Sequence, residues 1–245
     1  MRRRTKHEPL SSARVKASMR LRFARPAIAL ALSAFAPSLG VAQGRIIDEG
    51  TFSVTRAGAT HTENFRIARA ENGIIKATAQ VVNGAQRVTS ILTVDSLGTP
   101  MSYDVNVTDK GAKSVAVKAV AGGARLVAKT NDQHGDESMR EYPLVAGQSL
   151  LVESGLLHQL YFAAFGRKPG TIQIIDPRGA RVTSATLSAL GMEPVDVGGK
   201  SVTGTHYSLV SGGVKRDFWV DSAGRLLRVE IPSEQLVAAR EELPR

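Results

Sequence analysis

Asp132, His134 and Asp136 fall at i, i+2 and i+4 in the polar stretch NDQHGDES, a spacing that lets a loop wrap oxygen and imidazole ligands round a cation. A calcium loop counted from Asp132 needs glycine at its sixth place and glutamate at its twelfth. This chain has Glu137 and Pro143 there, so the stretch reads as a solvated hairpin loop. His61, His158 and His206 are isolated, with no partner at helix spacing, and no zinc site can be argued. Ser154 sits in VESGL without the leading glycine of a nucleophile elbow. The glycine pairs fall between alternating segments rather than between a strand and a helix, where phosphate-cradling loops must lie. Asp217 and Asp221 alternate on the closing hairpin and read as residues of a wet face and a turn, not as a glycosidase pair. These readings imply no enzyme, no metal and no cofactor.

What remains is apolar. Between Gly147 and Gly166 the stretch QSLLVESGLLHQLYFAAF lacks period-two alternation and is apolar on most sides of a 3.6-residue wheel. It predicts a buried helix of about 18 residues, roughly 27 Å long. Leu150, Leu151, Leu156, Leu157, Leu160, Tyr161, Phe162 and Phe165 give it more apolar surface than one helix face needs. Met101 and Tyr103 on a strand, and Phe218 or Trp219 on the closing hairpin, are the sheet residues expected opposite it. These side chains are the candidate ligand-binding set, for a lipid or acyl chain held between helix and sheet. The plainer reading of the same residues is core filling.

The elements that must position them are strands. Residues 101–108 alternate, with Met101, Tyr103, Val105 and Val107 on one side and Ser102, Asp104, Asn106 and Thr108 on the other. Val115, Val117 and Ala119 repeat the pattern. Turn signals recur at Asn72-Gly73, Asn83-Gly84, Asp109 to Gly111, Gly122-Gly123, Asp176 to Gly179, Gly198-Gly199, Gly212-Gly213 and Asp221 to Gly224. Asn-Gly predicts type I′ hairpins. About a dozen strands are expected in one domain over residues 43–245, followed by a short amphipathic helix from Ser233 to Glu242.

Charge and composition narrow the compartment. The net charge of +10 is concentrated in residues 1–42, which carry +8 and leave +2 for the remaining 203 residues. That near-neutral body, with aromatics at 5%, argues against nucleic acid. Residues 1–42 read as an export signal: a basic segment, an apolar run from Ala27 to Leu39, and a cleavage site after Ala42. Met19 opens a shorter and more typical leader, as an alternative start. The apolar run is too short to span a bilayer. Cysteine is absent, which removes disulfides, thiolate metal sites and a lipidated cysteine anchor. The scarcity of aromatics and the polar ending EELPR argue against an outer-membrane barrel. A periplasmic or secreted bacterial protein is expected, not integral to the membrane once processed.

The order leader, strands, apolar helix, strands resembles the lipoprotein-carrier-like half-barrels of the bacterial envelope. The closing segment VKRDFWVDSAGRLLRVEIPS at 214–233, with its tryptophan-aspartate turn before the last strand, is similar to that of several uncharacterised exported families. The resemblance implies an unclosed, strongly curved sheet with helices in its concavity, binding acyl chains or partner proteins without catalysis. The fold expected is therefore mainly β: an open half-barrel of antiparallel strands wrapping one apolar helix, with a short C-terminal helix. Two functions stay open, a carrier of a hydrophobic ligand and an envelope protein-interaction module with a dry core.

Overall fold

The computed structural model describes residues 44–245; the leader and its cleavage site lie outside them. Fifteen strands form one sheet. They are β1 (Arg45–Arg56), β2 (Ala59–Arg69), β3 (Ile75–Asn83), β4 (Gln86–Val94), β5 (Pro100–Asp109), β6 (Ala112–Gly122), β7 (Arg125–Asn131) and β8 (Glu137–Pro143) in the first half. The second half has β9 (Ser149–Leu151), β10 (Gly170–Asp176), β11 (Arg181–Val197), β12 (Lys200–Ser211), β13 (Val214–Val220), β14 (Leu226–Ile231) and β15 (Leu236–Arg240). The spatial order runs from β8 back to β1, then β15 back to β9, so each half is a meander and the two are joined where β1 pairs with β15. All pairings are antiparallel except the short β9 with β10. The sheet is curved and not closed, with β8 and β9 at its two edges.

The reversals sit where the glycines and asparagines place them. Positive φ at both central residues, the type I′ pattern, occurs at Lys110-Gly111, Gly198-Gly199 and Gly212-Gly213. At the two Asn-Gly signals only the glycine, Gly73 or Gly84, has positive φ. Gly84 is the first central residue of its two-residue turn, which makes it type II′ rather than the I′ form expected.

Alternation along the strands puts one apolar face inward. Phe52, Ile67, Ile75, Leu92, Tyr103, Val105, Leu126, Leu187, Leu209 and Phe218 are all at most 1% exposed and belong to one continuous cluster. A second, small cluster of Val195, Val197, Trp219 and Leu227 lies apart from it. Phe218 and Trp219 are neighbours on β13, so pleating sends them to opposite faces.

Two expected helices are corrected. The stretch 147–166 is not one helix of about 18 residues. It comprises β9, a turn, a 3₁₀ turn Leu157–Leu160 and one α-helical turn, α1 (Tyr161–Ala164). Gly155 at φ +84° breaks the chain between the strand and the helical turns, and Leu150 and Leu151 pair with Ile174 and Ile175 instead. The C-terminal helix from Ser233 to Glu242 is likewise absent. Pro232–Glu234 is a single 3₁₀ turn, Gln235 is left-handed at φ 49°, and Leu236–Arg240 inserts as β15 between β1 and β14. A ten-residue helix is marginal by itself; as a strand, the segment gains hydrogen bonds on both sides and buries Leu236, Ala238 and Arg240.

Arg240 is 2% exposed, donates to Asp48 at 2.8 Å and to the Leu226 carbonyl at 3.1 Å, and stacks over Phe65 at 5.3 Å. A Cβ at Gly50 would stand 2.8 Å from Arg240 Nε, so a larger residue there would have to displace the guanidinium. Burial raises the Asp48 carboxyl above its ordinary value, against the lowering pull of Arg240.

Candidate functional site

The buried segment 150–165 is held by polar atoms that its own sequence does not supply. Glu63, fully buried on β2, accepts the backbone N–H groups of Leu157 at 2.8 Å and His158 at 2.9 Å. His158 Nδ1 donates to the same carboxylate at 2.6 Å. A strand carboxylate thus satisfies the orphan donors that a capping side chain satisfies in an ordinary helix. His158 Nε2, also buried, has no hydrogen-bond partner among the described residues.

Beside this pair, Glu153 Oε1 accepts the Arg178 backbone N–H at 3.1 Å, and Oε2 lies 3.3 Å from the Arg178 guanidinium. Gln159 Oε1 accepts the Glu153 backbone N–H at 2.7 Å. Burial raises the Glu153 carboxyl above its ordinary range despite the nearby Arg178. The Tyr103 hydroxyl is pushed well above its ordinary value, by burial first and by Glu153 second.

The other end of the segment is tied by Arg167. Its guanidinium donates to the carbonyls of Phe162 at 2.8 Å, Gly98 at 3.0 Å and Ser149 at 3.0 Å, and also to that of Gly147. Burial lowers its pKa. Just beyond, Tyr161, Ala164 and Phe165 face an open cavity of about 890 Å³ at one end of the sheet. Ile47, Arg45 and Arg69 from β1 and β2 line it, together with the β13–β14 turn at Gly224 and Arg225. Burial lifts the Tyr161 hydroxyl to about 12.

The candidate ligand set therefore divides. Leu150, Leu151, Leu156, Leu157, Leu160 and Phe162, with Tyr103, are between 0% and 4% exposed in the main cluster. They fill the interior. Tyr161 and the half-buried Phe165 border the cavity. Two expected positions are corrected. Met101 is 37% exposed, because β4 and β5 change register between Thr93 and Val94: Ser102 pairs with Thr93, Pro100 with Val94, and Met101 is the extra, bulged residue. Trp219 belongs to the second cluster, where its Nε1 donates to Glu193 at 2.6 Å and its ring stacks on His206 at 4.4 Å.

The remaining polar candidates settle into local roles. Asp132 is exposed in the β7–β8 turn, where its Oδ1 accepts the backbone N–H groups of His134 at 2.8 Å and Asp136 at 3.0 Å. Those bonds, the His134 one foremost, lower its pKa. Among the described residues no group of three or more His, Cys, Asp or Glu side chains could hold a metal ion. Asp217 is buried rather than wet, 2.8 Å from Lys215 and 3.4 Å from His206. Burial acts to raise its carboxyl, and the Lys215 hydrogen bond leads the contacts that leave it lowered. Asp221 caps its turn by accepting from Ala223 and Arg225. Glu63, Arg167, Arg178 and the pair Arg45 and Arg69 were not singled out by sequence. A fully buried glutamate in an alternating strand, TENFRIA, is visible only as an acid at an inward position.

One open, curved sheet of two joined meanders with a cavity at its end defines a barrel-like β protein. The chain belongs to the family described as Domain of unknown function (DUF6134), whose model matches residues 101–240, more than half of the sequence. No curated protein matches it. Among solved structures it is similar to a beta-barrel-like protein of the Domain of Unknown Function DUF1849 from Brucella abortus. That likeness has a TM-score of 0.54 at 11% identity and covers 81% of this chain and 97% of the other. A DUF1089 family protein from Pseudomonas aeruginosa aligns with a TM-score of 0.41 at 12% identity, over 70% of this chain and 90% of its own. At such identity the first likeness speaks for the fold alone. Of the expected resemblance to carrier half-barrels, these comparisons support the coarser part, a barrel-like β fold. Among the described residues no helix is long and apolar enough to cross a membrane.

Proposed function

We propose that this is an exported, non-catalytic binding protein of the bacterial envelope that takes a hydrophobic ligand, an acyl chain or lipid, at the mouth of its curved sheet. The expected place, between the internal segment and the sheet, is packed with side chains. The mouth is different, and one observation carries the reading: a cavity of about 890 Å³ whose apolar wall is Ile47, Tyr161, Ala164 and Phe165. Ligand pockets typically measure about 300 to 1,000 Å³. Burial of a methylene stabilises by about 0.8 kcal/mol, so a twelve-carbon chain gains roughly 9 kcal/mol before ordering costs, enough for micromolar capture. Export is proposed from the basic and apolar pattern of residues 1–42.

The test is native mass spectrometry of gently purified protein, with solvent extraction, before and after incubation with dodecanoate or a lysolipid. A one-to-one adduct supports the proposal; protein that carries no lipid and gains none overturns it. That second outcome leaves the alternative of an envelope interaction module, which has its own support in β8. This edge strand is exposed at every residue but Tyr142, with Met139 at 70%. An unpaired strand edge is a template for a partner strand.

A further inference from the structure

We infer that the mouth cavity selects amphiphiles with an anionic head, a carboxylate or phosphate on an acyl chain, through Arg45 and Arg69. The inference rests on the proposed function and adds to it the chemistry of the head. Arg45 and Arg69 are direct cross-strand partners at the end of the β1–β2 ladder. The ladder shifts register between Ile46 and Asp48, leaving Ile47 as the bulged residue. Inward alternation from Phe52 back to Asp48 is thereby reset, so that Arg45 joins Arg69 on one face of the ladder and Ile46, 40% exposed, pairs with Ala68 on the other while still bordering the cavity. Like charges placed directly opposite on a sheet repel one another. Both line the cavity together with one acid, Glu71, yet neither arginine has an ion-pair partner among the described residues, which leaves the rim with more positive than negative side chains.

The other two arginines of the lining are engaged. Arg225 bonds Asp221 at 2.8 Å and the Arg245 backbone oxygen, and Arg245 lies 3.7 Å from Glu242. The Arg69 guanidinium stands 5.2 Å over the Phe165 ring, at the junction of the apolar wall and the charged rim. An anion seated between Arg45 and Arg69 replaces their repulsion with charge-assisted hydrogen bonds. Its tail then runs along Phe165 and Tyr161. The head is thereby fixed at the rim and the chain at the wall.

Calorimetric titration of the purified protein and of the Arg45→Gln/Arg69→Gln double variant with decanoate, decyl phosphate, decanol and inorganic phosphate tests this. Decanoate and decyl phosphate should bind the natural protein more tightly than decanol, with an affinity that falls as salt rises. The double variant should lose about tenfold or more for both anions and bind decanol as before. Its unfolding midpoint without ligand should be unchanged or higher, since a repulsion is removed. Decanol binding as tightly as decanoate, or a double variant that holds decanoate undiminished, overturns the anionic head while leaving a hydrophobic site. Inorganic phosphate binding as tightly as decyl phosphate overturns the amphiphile in favour of a soluble anion. Failure of every tailed ligand, decanol included, overturns the proposed function itself.

Discussion

The two ends of the buried segment meet opposite conditions. At its start, Leu156 to Leu160 are closed in by strands, and Glu63 accepts three donors at once. At its finish, Tyr161, Ala164 and Phe165 border open space, and two arginines stand opposite each other with no ion-pair partner among the described residues, though Glu71 shares the lining. One end has two backbone donors and the His158 Nδ1 answered by Glu63, while His158 Nε2 and Gln159 Nε2 stay without a partner among the described residues; the other leaves charge and apolar surface side by side. Aromatic surface beside a cationic pair with no ion-pair partner is the arrangement on which the proposed anionic amphiphile rests. On the proposed reading, the ligand belongs where charge and aromatic surface meet open space, not at the most apolar residues, which fill the interior.

The sharpest way to break the contrast is to truncate the same side chain on both sides of it. Phe162 is fully buried, whereas Phe165, three residues on, is half-buried at the cavity. Phe162→Ala should cost about 3 to 5 kcal/mol in urea unfolding, and Phe165→Ala less than half as much. Equal losses would mean that the mouth is as closely packed as the interior. Glu63→Ala comes next. It strands the His158 ring and two backbone donors in the dry interior, at about 3 kcal/mol in total. A loss below about 1 kcal/mol would show that water reaches the start of the segment and that the two ends are alike. Adding bulk should have a smaller effect. Leu160→Trp in a filled interior should cost about 1 to 3 kcal/mol, and a tolerated tryptophan there would reveal space beneath the segment.

The sequence carried the meander well because its signals are local. Glycine pairs mark hairpins through a conformation other residues avoid, and Tyr103, Val105 and Val107 alternate as a half-buried strand must. The same local signals fail where one residue resets the phase. The bulges at Ile47 and Met101 put Arg45 on the face of Arg69 and send Met101 outward, and no periodicity analysis reports an inserted residue before the partner strand is known. The apolar wheel at 147–166 correctly marks burial yet cannot distinguish a helix from a strand, a turn and two helical turns, all of which bury every side. Leu236 to Arg240 suit a helix by propensity, and pairing on two sides overrides it. The polar anchors were hidden by distance: Glu63 meets His158 across 95 positions, and no spacing rule relates them.

The smallest expected effect is one of slope. The carboxyls of Asp48 and Glu153 are both raised by burial, so in the folded protein they hold protons at pH values where the unfolded chain has released them. The folded state then binds more protons than the unfolded state, and linkage makes stability fall as pH rises from the ordinary carboxyl range through the raised values. Asp217 acts with the opposite sign. Its lowered carboxyl contributes stability above the ordinary value of 3.8 that is lost as pH falls through the lowered one. Glu153→Gln should remove the Glu153 part: between about pH 4.5 and neutrality the variant's unfolding midpoint should decline less with pH than that of the natural protein. An unchanged slope would mean that Glu153 is solvated or fully compensated by Arg178. In either case the Glu153 carboxyl would carry no net cost of burial, and the difference between the two ends would narrow to the arginine pair alone.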